Sequence, residues 1–324
     1  VLFRSLAMEK MKTALSHCEI CPRGCGINRT AGKAGWCHAP LLPKVALVSG
    51  HLWEEPPISG TKGSGTIFFS HCNLGCVFCQ NHTISQEGFG QEVSILRLAE
   101  IFLEQQERGF HNINLVSAVQ FIPQVAKALE SARAQGLRIP VVYNSNGYES
   151  LTGLRMLDGL VDIYLPDFKY WNNDLGVSYS HAPHYRETAA AAILEMRRQV
   201  PQDVFDAEGL LQKGLLLRHL ILPGQYRDSM RILDWVRASL GEETLVSLMS
   251  QYTPLYHAKE IKALSRKLTT FEYEKVIDYF FEIGLKNGFM QKRSSATGEY
   301  TPTFDLSGVA AAESFMKREE NHHD

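Results

Sequence analysis

The sequence predicts an α/β protein whose parallel strands form a partial, open barrel. Three observations carry this prediction. Strand-like and helix-like segments alternate from residue 65 onward. The strand-like segments are short and almost wholly apolar, as in a parallel sheet that is buried on both faces. We find six such units, which is fewer than the eight of a closed barrel, so we expect a (β/α)6 barrel that stays open.

The predicted elements follow in chain order. Apolar runs that end at polar or turn-forming residues predict strands at 65–70, 112–117, 140–145, 161–168, 214–222 and 244–250. Apolar residues three and four positions apart predict helices at 94–109, 121–136, 150–157, 185–200 and 226–240. Each helix separates two strands, and such crossovers join strands that run parallel.

Two regions lie outside this repeat. Residues 1–64 hold four cysteines and nearly all of the Pro- and Gly-rich stretch EEPPISGTKGSG. Residues 255–324 hold one clear helix, TFEYEKVIDYFFEIGLKNG, then an irregular tail and a terminal helix. We therefore expect an N-terminal extension with a metal module (1–64), a barrel (65–254) and a C-terminal helix and tail that cover the barrel (255–324).

The composition is that of an ordinary globular enzyme. Hydrophobic residues make up 44% of the 324 residues, charged residues 21%, and the net charge of −2 argues against nucleic-acid binding. No apolar run approaches the ~20 residues that span a membrane. The first ten residues, VLFRSLAMEK, are too short and too broken by charge for a signal peptide, and Met8 is a candidate start. We expect a cytoplasmic protein without membrane or nucleic-acid partners.

The cysteines form two groups near the N-terminus. All seven lie between residues 18 and 79, and they divide into a set of four and a set of three. An odd count and tight clustering argue against a disulfide framework and favour metal ligands. The set of four comprises Cys18, Cys21, Cys25 and Cys37. It could complete a tetrahedral zinc site or hold a 4Fe–4S cluster, with Arg23 and Arg29 as candidate donors to the sulfurs.

The set of three lies in the stretch HCNLGCVFCQN, with the spacing Cys-x3-Cys-x2-Cys. Cys72, Cys76 and Cys79 follow the first predicted strand, at the end where α/β barrels place their chemistry. One interpretation is a zinc site completed by His71 or His82. Another is a 4Fe–4S cluster with three thiolates and one iron left open for a ligand. Three structural cysteines are the remaining alternative.

The three-cysteine motif, with an aromatic residue before its last cysteine, resembles the radical S-adenosylmethionine (SAM) superfamily. The stretches CEICPRGCGINRTAGKAGWC, PVVYNSNGYE, VDIYLPDFKY, LLLRHLILPG and YTPTFDLSGV are similar to uncharacterised relatives of the pyruvate formate-lyase activating enzyme. The resemblance covers roughly residues 15–308. It implies that a 4Fe–4S cluster on these three catalytic cysteines cleaves SAM, giving a 5′-deoxyadenosyl radical that abstracts hydrogen.

The resemblance also implies a SAM site at the carboxyl ends of the strands. Its expected cofactor-binding residues are Phe78, Ser117, Asn144, Ser145, Asn146, Asp167, Lys169, Arg218 and Gln251. Phe78 is expected at the adenine, Asn144–Asn146 at the ribose, and Arg218 at the carboxylate of SAM. Other roles remain open for several of them: a turn at Asn146-Gly147, and a plain ion pair between Asp167 and Lys169.

The sequence departs from the family pattern around Ser117–Gln120, which reads SAVQ where relatives commonly carry Thr-Pro-Thr-His and the wider superfamily carries Gly-Gly-Glu. This puts the side-chain contact to the SAM amino group in doubt. The segment WNNDLGVSYSHAPHY (171–185) is long for a connection between strand and helix, so we interpret it as a loop that closes on substrate. The tail FMQKRSSATGEYTPTFD is a second candidate cover of the barrel mouth.

We therefore expect a radical SAM oxidoreductase similar to activating enzymes of glycyl-radical enzymes. Its expected partners are SAM, an unknown protein, peptide or small-molecule substrate, and an external electron donor such as flavodoxin or ferredoxin. The alternative is a non-catalytic iron–sulfur or zinc protein for electron transfer or metal delivery. The strands with polar ends favour the enzyme, because a carrier needs no such pocket.

Overall fold

The computed structural model describes residues 11–291 and 302–310. Within these residues the strands belong to one sheet. They are β1 (Lys44–His51), β2 (Ser64–Phe69), β3 (Gln91–Glu92), β4 (Asn112–Val116), β5 (Val141–Ser145), β6 (Ile163–Pro166), β7 (Val204–Phe205), β8 (Leu211–Leu220), β9 (Leu245–Met249) and β10 (Gly288–Met290). The spatial order is β3-β1-β2-β4-β5-β6-β8-β9-β10, and β7 pairs with β8.

The sheet is mostly parallel. Strands β2, β4, β5, β6, β8, β9 and β10 run in one direction, while β1 pairs antiparallel with β2. The register places Phe68 beside Val116, and Val116 beside Asn144. The carboxyl ends of these neighbouring strands therefore meet at one rim, where the polar residues that follow them come together.

The helices connect the strands. They are α1 (Pro56–Ser59), α2 (His82–Ser85), α3 (Ile95–Glu107), α4 (Ile122–Ala134), α5 (Leu151–Arg155), α6 (Asn173–Ser180), α7 (Tyr185–Gln199), α8 (Tyr226–Leu240) and α9 (Thr270–Glu282). The six predicted strands and the five predicted helices between them are confirmed. Among the described residues, none of these helices has the length and apolar character needed to cross a membrane.

The core of the described residues divides into three clusters, and two of them differ because alternate residues of a strand face opposite sides of the sheet. Tyr143 and Leu217 belong to the large core that includes the helices. Their neighbours Val142 and Leu216 belong to a smaller apolar cluster with Ile58 of α1. This cluster draws on the first residues of several strands, so it fills the amino end of the barrel and leaves the carboxyl end for a cavity.

The structure corrects three expectations. The segment 171–185 is not an open loop, because it contains α6. Asn172 caps this helix by accepting a hydrogen bond from the Asp174 N–H, and His181 ends it with a left-handed backbone. Strand β1 joins the N-terminal extension to the sheet, and β10 adds a short seventh parallel strand at the other edge. The predicted terminal helix lies largely in residues 311–324, outside the described residues.

Candidate active site

The three-cysteine loop follows β2 and is fixed by backbone hydrogen bonds from the end of α6. The Gly75 N–H donates to Ser180 O at 3.0 Å, and the Val77 N–H donates to Tyr179 O at 2.9 Å. The segment that we interpreted as a substrate loop therefore holds the cysteine loop in place. This gives the polar and aromatic residues of α6 a structural role next to the thiols.

The three cysteines are half-buried, and short polar side chains surround their thiols. Cys72 Sγ accepts hydrogen bonds from the Leu74 N–H and from Asn146 Nδ2, both at 3.4 Å. Cys76 Sγ lies 2.9 Å from Ser180 Oγ, and Cys79 Sγ lies 3.3 Å from Ser85 Oγ. Each of the three sulfurs thus has a hydrogen-bonding neighbour, as is common for sulfurs of iron–sulfur sites.

Burial acts against free thiolates in this loop. It raises the pKa of Cys72 to about 12 and that of Cys76 to about 11, and it also raises the pKa of Cys79. The thiolate is the metal-binding form of cysteine, and a bound metal supplies the positive charge that burial otherwise lacks. Three half-buried thiols with raised pKa values at one cavity therefore fit a metal centre better than three reactive free cysteines.

The three cysteines line a cavity of about 250 Å³ at the carboxyl end of the barrel. The same cavity is lined by every residue that we expected to bind SAM: Phe78, Ser117, Asn144, Ser145, Asn146, Asp167, Lys169, Arg218 and Gln251. These residues come from the loop after β2 and from the ends of five other strands. Their convergence leaves room beside the thiols for a ligand with both apolar and charged parts.

Lys169 and Asp167 form a buried ion pair on the cavity wall. Lys169 Nζ lies 2.5 Å from Asp167 Oδ2. Burial opposes the charge of Lys169, but Asp167 and the nearby thiol of Cys76 outweigh it and raise the pKa of the lysine. The pair therefore presents a fixed positive and a fixed negative charge next to Cys76, which suits a zwitterionic ligand.

Arg218 also lies on this wall, and its guanidinium is held by two glutamates. Nη1 lies 3.2 Å from Glu54 Oε2, and Nε lies 3.2 Å from Glu55 Oε1. Asn114 Nδ2 fixes Glu54 from the other side by donating to Oε1 at 2.8 Å. These glutamates were not among the predicted site residues. The sequence nevertheless indicated a partner for Arg218, because a charged residue inside a barrel needs an opposite charge. The only adjacent acidic pair near the barrel start is in EEPP.

Gln120 explains part of the unusual stretch after β4. Its side-chain amide group lies within hydrogen-bonding distance of Ser70 O (2.9 Å), His71 O (3.0 Å) and Ser117 O (2.8 Å). Gln120 thus ties the turn after β4 to the start of the cysteine loop. Ser117 has a left-handed backbone with φ of 57°. Gln120, which departs from the family pattern here, therefore supports the loop that carries Cys72.

We expect Gln120→Met to lower the free energy of unfolding by about 2–3 kcal/mol, because three buried carbonyls lose one shared donor. The methionine keeps the length of the side chain. Gln135→Met, at an exposed position, is the matched control and is expected to change stability by less than about 0.5 kcal/mol. Urea unfolding under anaerobic conditions measures both. Equal urea midpoints for the two variants would contradict the proposal that Gln120 holds the turn after β4 to the cysteine loop.

Glu149 lies beneath the predicted ribose contacts as a buried carboxyl group. Ser145 Oγ donates to Glu149 Oε1 at 2.7 Å, and Tyr143 OH donates to the same atom at 3.1 Å. Burial raises the pKa of Glu149 to about 7, although both hydrogen bonds lower it. Its folded-state pKa is therefore above the ordinary value of 4.5, and the folded protein favours the protonated form of Glu149. The stability that this group contributes is present at low pH and is lost as pH rises toward 7.

We expect Glu149→Gln to remove this pH dependence. Relative to the wild type, the variant gains stability as pH rises from 5 to 8, by about 2–3 kcal/mol. The amide keeps an oxygen for Tyr143 and Ser145 but does not ionise. Denaturant unfolding at several pH values in this range measures the difference between the two proteins. A difference that stays constant with pH would show that Glu149 titrates as it does in the unfolded chain.

The four N-terminal cysteines lie close together in tight turns. The Cys18 N–H donates to Ile27 O at 2.9 Å, and the Gly26 N–H returns to Cys18 O at 3.0 Å. Burial raises the pKa of Cys21 to about 12, and the neighbouring thiols of Cys37, Cys18 and Cys25 add to this shift. A side chain at Gly35 would approach Cys25 Sγ to 3.0 Å, so glycine is needed there for close packing.

The two arginines of this region donate to backbone carbonyls and not to the sulfurs, although the charge of Arg29 lowers the pKa of Cys37. Arg23 Nε donates to Asn73 O at 2.9 Å, and its guanidinium lies 4.1 Å from the Trp36 ring centre. Arg29 is buried and donates to Gln120 O at 2.6 Å. Both side chains thus connect the N-terminal turns to the barrel, because backbone carbonyls are better acceptors than thiols.

The described residues contain no group of three His, Cys, Asp or Glu side chains spaced to hold a single metal ion. A 4Fe–4S cluster does not require such spacing, because each thiolate binds a different iron atom. The three cysteines of the 72–79 loop fit a cluster in this respect. They converge on one cavity, and the wall opposite them carries polar and charged groups for a ligand on the fourth iron.

Comparison with known proteins places this site in a family. Residues 66–239 match the Radical SAM superfamily. The chain is 31% identical over 286 residues to an uncharacterized protein of Methanocaldococcus jannaschii, which covers 84% of this chain and 77% of the relative. Among solved structures, SuiB from Streptococcus suis bound to the precursor peptide SuiA superposes with a TM-score of 0.48 and 11% identity, over 68% of this chain and 47% of SuiB.

A second solved structure, native anSMEcpe with bound AdoMet, gives a TM-score of 0.44 and 11% identity, over 66% of this chain and 57% of the other. The chain spans about half the length of these structural neighbours. The family match covers the barrel from β2 to α8, including the three-cysteine loop and the ends of β4, β5, β6 and β8 at the cavity. The chain is therefore a member of the Radical SAM superfamily, whose enzymes use a 4Fe–4S cluster and S-adenosylmethionine.

Proposed function

We propose that Cys72, Cys76 and Cys79 hold a 4Fe–4S cluster and that this chain cleaves SAM to act on an unactivated C–H bond. One observation carries the proposal. Three half-buried cysteines converge on a cavity that is also lined by polar residues from the ends of five strands. When bound, the cluster and SAM together supply the one-electron chemistry that removes a hydrogen atom from a substrate.

The chain's own residues bind and orient SAM in this proposal. Phe78 lies edge-on to Tyr252, with ring centroids 5.9 Å apart, and the two rings offer an apolar surface for the adenine. Asn144 and Ser145 offer polar groups for the ribose. We assign the amino and carboxylate groups of the methionine part to the fixed charges of Asp167 and Lys169.

We assign a second contact with the SAM carboxylate to Arg218. Glu54 and Glu55 hold two sides of its guanidinium, and Nη2 contacts Met249 Sδ at 3.5 Å. Thioether sulfur is a weak acceptor, so Nη2 is the donor that a carboxylate would take over most easily. Ser117 and Gln251 line the same cavity and complete the set of proposed cofactor contacts.

The proposed reaction resembles that of activating enzymes of glycyl-radical enzymes, with a protein, peptide or small molecule as substrate. An external donor such as flavodoxin or ferredoxin would reduce the cluster. Anaerobically reconstituted protein with SAM and dithionite is expected to form 5′-deoxyadenosine, and Cys72→Ala to form none. Equal yields from both proteins, or no product from the wild type, would contradict the proposal. A glycine radical detected by electron paramagnetic resonance in a partner protein would identify an activating enzyme.

We also propose that Cys18, Cys21, Cys25 and Cys37 hold a second 4Fe–4S cluster, in an N-terminal module of residues 1–64. The contact from Arg23 to Asn73 supports this proposal, because it brings the module next to the loop of Cys72. A redox-active centre at this position would be a neighbour of the first cluster. Zinc in place of iron at these thiols would contradict it.

A further inference from the structure

A second cavity, of about 430 Å³, adjoins the first one. It lies between the segment before α1, the end of β9 and strand β10. Its walls are Leu52, Trp53, Glu54, Glu55, Pro56, Ser247, Gln251, Gly288, Phe289, Met290 and Gln291. Trp53, Glu54 and Gln251 line both cavities. A ligand in the second cavity would therefore lie beside the proposed SAM site.

Among the described residues, the wall of the second cavity carries two glutamates and no basic side chain. Glu55 is only 6% exposed, and its Oε1 lies 3.2 Å from Arg218 Nε. Its other oxygen, Oε2, makes no hydrogen bond of good geometry within the described part of the chain, and Ser247 is the neighbouring hydroxyl that lowers the pKa of this carboxyl group. Arg218 thus balances one of two adjacent carboxylates, and the pair Glu54–Glu55 keeps an excess negative charge toward this cavity.

One further buried atom on this wall, Gln291 Oε1, lacks a hydrogen-bond partner among residues 11–291 and 302–310. Ser247, which is 1% exposed, lies beside Glu55, and its hydroxyl lowers the pKa of that carboxyl group. A buried acceptor without a donor costs free energy, so unsatisfied groups that gather at one cavity point to a ligand that donates. The indole ring of Trp53 and the ring of Phe289 add aromatic surface, which favours cations.

We propose that the second cavity binds a cationic group of the substrate, a primary ammonium or a guanidinium on an aliphatic arm. The proposal rests on the proposed radical SAM function, whose substrate class it names. Glu55 and Ser247 line the second cavity and not the one that contains the three cysteines. The cation is therefore bound away from the sulfonium of SAM, and the rest of the substrate extends past Glu54 and Gln251 toward the reacting centre.

The test is a calorimetric titration of reconstituted, SAM-loaded protein under anaerobic conditions. One arm compares acetyl-Gly-Lys-Gly-amide with the same peptide carrying norleucine, which lacks only the ammonium group. The second arm compares free pentane-1,5-diamine with pentane-1,5-diol. The charged probe of at least one arm is expected to bind about tenfold or more tightly than its neutral counterpart. The arm that shows the preference identifies a peptide side chain or a free amine as the source.

Variants locate the effect. Glu55→Gln is expected to weaken binding of the charged probe about tenfold, because the amide keeps the shape of the side chain and removes its charge. Glu208→Gln, at an exposed position, is the matched control without effect. Ser247→Ala removes a neighbouring acceptor and leaves the contacts of Arg218 in place. It is expected to weaken binding about threefold, and it provides the readout if Glu55→Gln does not fold.

Formation of 5′-deoxyadenosine is measured in the same samples. If it forms and the charged and neutral probes bind alike in both arms, the cation site is disproved and the proposed function stands. If Glu55→Gln and Ser247→Ala bind the charged probe as the wild type does, the cation site is also disproved. If Glu55 governs the charge preference and no 5′-deoxyadenosine forms, the cation site stands and the proposed function fails.

Discussion

Replacing Arg218 with Met is expected to lower the free energy of unfolding by about 3–5 kcal/mol, because it leaves two buried glutamates without their shared cation. The methionine fills a similar volume, so the loss is mainly electrostatic. In this variant Glu54 keeps its hydrogen bond from Asn114, but no cation remains beside Glu55. Burial and Glu54 both raise the pKa of Glu55, and Arg218 counteracts them.

The controls separate the lost charge from lost packing. Arg138→Met, at an exposed position, is expected to change stability by less than about 0.5 kcal/mol. Adding Glu55→Gln to Arg218→Met is expected to recover part of the loss, because it removes one unpaired carboxylate. Urea midpoints of the three variants and the wild type give these differences. If the double variant is less stable than Arg218→Met alone, the ion pair is not the source of the loss.

The sequence was sufficient for the features that local patterns determine. Apolar runs located the six barrel strands, and the spacing of Cys72, Cys76 and Cys79 located the site at the end of β2. The residues after each strand could also be assigned to one rim, because parallel strands place their carboxyl ends together. The nine expected SAM contacts line one cavity for this reason, although their individual roles remain proposals.

Features that depend on distant contacts were not predictable in this way. The pair of Arg218 and Glu54 joins residues 164 positions apart, and no local pattern connects them. Helix α6 is short and contains Gly176 and several polar residues, so its sequence resembles a loop, and its contacts with the cysteine loop stabilise it. The sequence showed only that Ser117–Gln120 departs from the family pattern, whereas the structure shows that the Gln120 side chain binds the backbone beside Cys72.

Loss of one thiol from either cysteine set is expected to remove one metal centre and leave the other. The wild type is expected to contain about eight irons per chain after anaerobic reconstitution, four for each cluster. Cys79→Ala is expected to contain about four and to form no 5′-deoxyadenosine, since a cluster with two thiolates is not held. Cys25→Ala is the matched variant of the other set, with about four irons and with SAM cleavage by dithionite retained.

The combination of metal content and product separates the two centres, because each variant changes only one of them. Cys25 lies in turns whose backbone hydrogen bonds run within residues 18–38, whereas Cys79 lies in the loop held by α6 and Ser85. About four irons and one zinc in the wild type would assign zinc to the N-terminal set and disprove the second cluster. Retained SAM cleavage in Cys79→Ala would disprove the ligand set of the first cluster. In this variant only Cys72 and Cys76 remain in the cysteine loop, so the cluster would lack its third thiolate.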